Sequence, residues 1–209
     1  FKEQMDIFGD KHTWYCTLTY FMTFGTFAGM AAAFPMMIKS LYVPLESDLD
    51  PLKFAFYGPL IGSATRVFFG KIADKTGGAI LTHITGIALI ILFSVLIFGG
   101  FLTPTTIDQF PYFVGIVMLI FFFTGIGNAA TFKQFPMIFS DSPRKAAGVI
   151  GWTAAIAAFG PFVFNVLIST SKSISGDARL FFGLMLFICV FATFINWKFY
   201  TKKGCERPS

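Results

Sequence analysis

Acidic residues are scarce in this chain, and they avoid its apolar stretches. Eleven Asp and Glu stand against sixteen Lys and Arg in 209 residues, and charged residues of all kinds make up 13%. The acids Glu3, Asp6, Asp10, Glu46, Asp48, Asp50, Asp74, Asp108, Asp141, Asp177 and Glu206 fall outside the long hydrophobic runs or at their ends. Cysteine is equally sparse. Cys16, Cys189 and Cys205 are too few and too scattered for a disulfide framework, and read as apolar fillers plus one thiol in the tail. There are two histidines and no His/Cys/Asp/Glu cluster at ligand spacing, so no metal site is expected and His83 reads as a packing or hydrogen-bonding residue. Phosphate-binding loops and nucleophile–base pairs are missing too, which leaves no enzyme signature and no cofactor.

Apolar side chains are plentiful. The chain is 55% hydrophobic with 30 phenylalanines, and its mean hydropathy is +0.71. A water-soluble domain of this length could not hide that much apolar surface. Six runs, near 13–38, 52–72, 79–102, 112–139, 145–170 and 178–200, are long enough to cross a bilayer at about 1.5 Å per residue. The second is the weakest, because it carries Arg66 and two glycines, and the fifth is rich in Ala and Gly. The net charge of +5 does not suggest nucleic acid, because most basic residues sit at the ends of apolar segments. One side of the six runs collects Lys2, Lys11, Lys71, Lys75, Arg144, Lys145, Lys198, Lys202, Lys203 and Arg207, and the other collects Lys39, Lys53, Lys172 and Arg179. That bias places both termini in the cytoplasm.

The first three runs echo the last three. Ala33-Phe34-Pro35-Met36-Met37-Ile38 matches Gln134-Phe135-Pro136-Met137-Ile138-Phe139, with the prolines 101 residues apart. Gly58-Pro59-Leu60 matches Gly160-Pro161-Phe162, with the prolines 102 residues apart. Because three is odd, the second copy enters the membrane inverted. The expected fold is therefore all-α and integral to the membrane: six transmembrane helices as a 3+3 inverted repeat, one half of a major facilitator fold. Residues 1–12 begin without Met and read as the end of a cytoplasmic linker between halves, 13–203 as the six-helix unit, and 204–209 as a cytoplasmic tail. Gly70-Lys71-Ile72-Ala73-Asp74-Lys75-Thr76-Gly77-Gly78 resembles that superfamily's cytoplasmic loop, with Asp74 placed to cap the next helix or pair with a base.

Two cations lie within the apolar runs. Arg66 and Lys133 each carry a cost of roughly 2.5–3.5 kcal/mol at mid-membrane, and no acid accompanies them in their runs. A negatively charged substrate is the natural partner. Counting from the cytoplasmic side, Tyr20, Arg66 and Lys133 share a layer roughly 9–11 Å deep at about 1.5 Å per residue. The Arg66 guanidinium offers coplanar paired donors for a flat oxyanion. Tyr20 offers a hydroxyl, Phe24 an aromatic wall one turn on, and Asn128 an amide. Lys133 could add a second charge, take part in coupling or gating, pair with an acid elsewhere, or reach the lipid interface. Gly148, Gly151 and Gly160, with other small residues, let helices approach and slide.

These same residues resemble the nitrate/nitrite porters of the major facilitator superfamily. The resemblance runs from about Lys11 to Lys203, matches that family's helices seven to twelve, and is strongest over residues 18–27, 55–66 and 124–132. It implies that Arg66 is one of two arginines clamping nitrate or nitrite, the other coming from an N-terminal six-helix half. It implies that Tyr20 hydrogen-bonds the anion and that Phe24 lines its site. Gly148 to Pro161 resembles a glycine-rich nitrate signature, although Ala154, Ala155, Ala157 and Ala158 make it poorer in glycine. The expected protein is a secondary carrier of the bacterial inner membrane working by alternating access, as antiporter or symporter, possible partners including protons. The alternatives are a stand-alone six-span oligomeric anion channel, a facilitator carrier for another small anion, and a membrane receptor without flux.

Overall fold

The computed structural model describes residues 2–209, and side chains from Met5 onward. Six long helices carry the fold: α1 (Lys11–Leu41), α2 (Tyr57–Thr76), α3 (Gly78–Phe98), α4 (Phe110–Ile138), α5 (Pro143–Ser175) and α6 (Arg179–Thr201). Five of them are long and apolar enough to cross a membrane. The exception is α2, which has 20 residues and is the element that carries Arg66, Lys71, Asp74 and Lys75. No strand occurs among the described residues.

Local chemistry explains the helix ends. Asp10 caps α1 by accepting from the His12 amide at 2.9 Å. Ser142 caps α5 with Pro143 in its first turn, where a missing N–H is harmless. Gly176 ends α5 at φ +83°. Gly160-Pro161 interrupts α5 between its two segments, because proline cannot donate within the ladder. Inside the bundle, Thr65, Thr124 and Thr131 return their hydroxyls to carbonyls one turn back, so no hydroxyl proton of theirs is stranded in an apolar interior.

Packing is pairwise. The most extensive contacts run between α2 and α4, α3 and α4, α3 and α6, and α1 and α5, and α1 also meets α6. One core cluster, at the end away from the termini, is dominated by rings, including Phe34, Tyr42, Phe93, Phe113, Phe121 and Phe164. Its hydroxyl is satisfied: Tyr42 donates to the Phe101 carbonyl at 3.2 Å. On α3, Ile80, Ile84, Ile87, Ile91, Val95 and Phe98 form an exposed apolar stripe at helical spacing, and Leu180, Leu184, Phe187, Phe191 and Phe194 do the same on α6. Such stripes suit acyl chains.

Both ends of the described chain pack on the opposite end of the bundle. Thr13 donates to the Ile7 carbonyl at 2.6 Å, and Arg144 bonds Asp6 at 2.5 Å. The tail folds back: Glu206 meets Lys11 at 2.8 Å and His12 at 3.1 Å, and Arg207 meets Asp10 at 3.1 Å. His12 also contacts the Tyr200 hydroxyl at 2.8 Å. Hydrogen bonds from Lys11, then His12, hold the Glu206 carboxyl down from 4.5 to about 2. A depressed acid stabilises when ionised, so this tie is complete above pH 4.5 and lost as pH falls towards 2. An NMR titration of the Glu206 carboxyl is expected to show its midpoint near the lower value, and a midpoint at the ordinary glutamate value would mean the tail is not tied down.

Candidate functional site

The placement of Arg66 begins with two glycines. A Cβ on Gly125 of α4 would collide with the Gly62 carbonyl of α2, so the two backbones touch there. Arg66 lies one turn beyond Gly62, and its guanidinium sits 5.0 Å from the Phe132 ring centre on α4. Among the described residues it has no carboxylate or hydrogen-bond partner, and it is exposed on an outer face of the bundle. A cation–π contact is worth about 0.5–1 kcal/mol at an open site, well short of the roughly 2.5–3.5 kcal/mol cost of burial in a membrane. The cation is held in place without being neutralised.

The aromatic wall comes from α1. Residues Phe21–Gly25 form a π-helical turn, a local widening often found at functional positions. The rings of Tyr20 and Phe24, four residues apart across the start of this turn, stack at 5.4 Å. Phe24 in turn stacks on Phe27 at 6.0 Å. The Tyr20 ring meets Phe132 edge-on at 5.6 Å, and its hydroxyl donates to Asn128 Oδ1 at 3.2 Å. That bond occupies the Asn128 carbonyl and leaves its two amide N–H groups without a protein acceptor among the described residues.

Tyr20 thus contacts Phe24 and Asn128, and Tyr20 and Arg66, all four named from sequence, both meet Phe132, which was not singled out. Its signal was available: it lies four residues after Asn128, one turn along the same face. A buried amide network was also missed. Gln134 Nε2 donates to Asn196 Oδ1 at 2.8 Å, and Asn196 Nδ2 donates to the Ala79 carbonyl at 2.9 Å. It ties α4, α6 and the start of α3 together below the site.

For Lys133, no acid lies in its own run, but the pairing with an acid elsewhere that its sequence left open is the one found: Lys133 Nζ lies 2.6 Å from Asp74 Oδ1. The side chain leaves α4 near its end, and its flexible stem reaches the last turns of α2, where Asp74 sits. Asp74 pairs with a base; it does not cap α3. The glycines divide. Gly160 is buried, and a Cβ there would collide with the Gly25 carbonyl of α1. Gly151 meets nothing within 4 Å and Gly148 only the Ile7 side chain, so neither mediates a helix crossing within this unit. They lie with Ala147, Ala155 and Ala158 on an exposed face of α5. No group of three or more potential metal ligands occurs among the described residues.

Long apolar helices around an open, cationic, aromatic-lined face define a polytopic integral membrane protein. The sequence comparisons narrow this class. The chain is 51% identical over its full length to the probable nitrate/nitrite antiporter NarK2 of Thermus thermophilus. Over 92% of its length it is 29% identical to the nitrate/nitrite transporter NarU of Escherichia coli strain K12 and 30% identical to that of Salmonella typhimurium. No protein-family model matches the chain. By these relationships it belongs to the nitrate/nitrite porter family of the major facilitator superfamily. The chain spans about half the length of the curated relatives it matches, 46% of the Thermus protein and 45% of NarU.

Proposed function

We propose that this chain is the C-terminal six-helix half of a nitrate/nitrite carrier that works by alternating access in the bacterial inner membrane, both termini cytoplasmic. Arg66 and a second arginine from the N-terminal half hold the anion between them. Asn128 N–H groups add donors, while Tyr20, Phe24 and Phe132 wall the site. Bound anion relieves repulsion between two cations and so lets the halves rock together. Residues 1–12 serve as the end of the linker, 13–203 as the transporter half, and 204–209 as the tail.

The observation that carries this reading is Arg66: a cation within an apolar run of the sequence, on an open face with no carboxylate partner among the described residues. Helix pairing supports the inverted repeat. Exchanging α1 with α4, α2 with α5 and α3 with α6 turns the α1–α5 contact into α4–α2, and α3–α4 into α6–α1, and all four occur. The exposed Gly148, Gly151 and Ala155 face of α5 fits closely against the other half. The full-length carrier should be stabilised by nitrate and nitrite in a thermal-shift titration, by about 2.7 kcal/mol at a hundred times Kd. Stabilisation by chloride and sulfate to the same extent would contradict the substrate assignment.

Lys133 and Asp74 act in this scheme as a gate or coupling pair outside the anion site. As a half-exposed ion pair it is worth only about 0.2–1 kcal/mol to stability. Lys133→Gln is therefore expected to lower turnover about fivefold or more while changing nitrate KM less than about twofold, since no ground-state anion contact is lost. Kinetics of nitrate uptake in vesicles check this, and a tenfold rise in KM would return Lys133 to the binding layer.

A further inference from the structure

A second cleft, apolar over most of its lining but carrying a cation and three small polar groups, lies at the end of the bundle away from the termini, between α1 and α5. Lys172 donates from Nζ to Ser40 Oγ at 2.7 Å. Together with Met36, Met37, Asn165 and Ser169 these residues line a cavity of about 70 Å³. The spacing is regular: Asn165, Ser169 and Lys172 recur on one face of α5, and Ala33, Met36 or Met37, and Ser40 on one face of α1. Lys172 is half-buried and has no carboxylate within salt-bridge distance among the described residues. The nearest acid in sequence, Asp177, is committed to Arg179 at 2.6 Å. Asn165 and Ser169 have no hydrogen-bond partner among the described residues.

An ammonium group has three donors, and Ser40 takes one. Two remain, beside an amide and a hydroxyl. The cavity of about 70 Å³ has room for a few waters, each needing about 10–15 Å³ of such volume, which suits an oxyanion of three or four heavy atoms; a phospholipid headgroup with its glycerol is larger. We infer that Lys172, Ser40, Asn165 and Ser169 form an outer anion subsite that collects nitrate or nitrite at this end of the carrier before it reaches Arg66. The inference rests on the proposed transport function and extends it to a capture step. A single positive charge in a narrow cleft raises local anion concentration and capture rate without contributing to the translocating site.

Sided uptake by the full-length carrier in vesicles tests it. With nitrate on the Lys172 side, Lys172→Gln should raise KM about fivefold at low ionic strength with kcat unchanged, and Lys172→Arg should remain close to wild type. KM measured from the other side should not move. An unchanged KM on the Lys172 side overturns the subsite. So does an effect of Lys172→Gln that appears only in vesicles containing phosphatidylglycerol, since the cleft would then be holding an anionic lipid. Should the wild type carry no nitrate from either side, the transport function fails, and binding still decides the subsite. In Arg66→Ala, nitrate should shift the Asn165 side-chain amide resonance, and adding Lys172→Gln should abolish that shift. An Asn165 resonance indifferent to nitrate contradicts the subsite whatever the transport result.

Discussion

Arg66→Lys is expected to raise the nitrate KM of the full-length carrier more than about tenfold, a loss of at least about 1.4 kcal/mol. Charge is conserved in this substitution, so a purely electrostatic role predicts little change. What is lost is geometry. The guanidinium can present coplanar paired N–H groups to two oxygens at once, and its central carbon lies over the Phe132 ring, 5.0 Å from the centre. A lysine ammonium is a strongly hydrated point that can offer neither. Folding should be unaffected, because Arg66 bonds to nothing else among the described residues and sits on an exposed face. Nitrate titration of wild type and variant checks this. Equal affinities would show that Arg66 is not a clamp, whatever the family resemblance implies.

Gly160→Leu is expected to abolish folded protein, whereas Gly151→Leu should leave the stability of this helical unit intact and stop transport. At Gly160 even a Cβ would collide with the Gly25 carbonyl, backbone to backbone, so no rotamer relieves the clash and α1 and α5 must separate. Overpacking typically costs about 1–3 kcal/mol where side chains can adjust, and more where they cannot. At Gly151 nothing lies within 4 Å. A large side chain there is harmless unless a partner surface approaches, which the proposed N-terminal half does in one or both states of the cycle. Detergent-resistant yield, melting temperature and uptake separate these cases. Full transport by Gly151→Leu would mean that the small-residue face of α5 is not an interface between halves.

Five of the six long helices were legible as spans because hydropathy registers a twenty-residue apolar run directly. The weak second run emerged as α2, the helix that fails the same apolar test for the reason visible in sequence: its charges. The arginine and its aromatic and amide neighbours could also be found, because intramembrane polar residues are few. Reach was less legible. Depth along the axis put Lys133 level with Arg66, but four methylenes carry its charge to Asp74 at the helix end, and residue counting does not see side-chain length. Face was the other gap. Gly148, Gly151 and Gly160 look alike in the string, yet only Gly160 points at a neighbouring backbone. The stack of Tyr20 on Phe24 follows from their spacing of four, but the π-helical turn that starts between them has no sequence mark. The Gln134–Asn196 bond joins positions 62 residues apart, which no local pattern reports.

The most direct test of nitrate/nitrite carriage is counterflow in vesicles containing the full-length protein. Vesicles loaded with nitrite should take up external nitrate faster than empty ones, with saturation, and Arg66→Lys should lose that acceleration. Nitrate influx that rises linearly with concentration and ignores internal nitrite would contradict alternating access and turn attention to a channel.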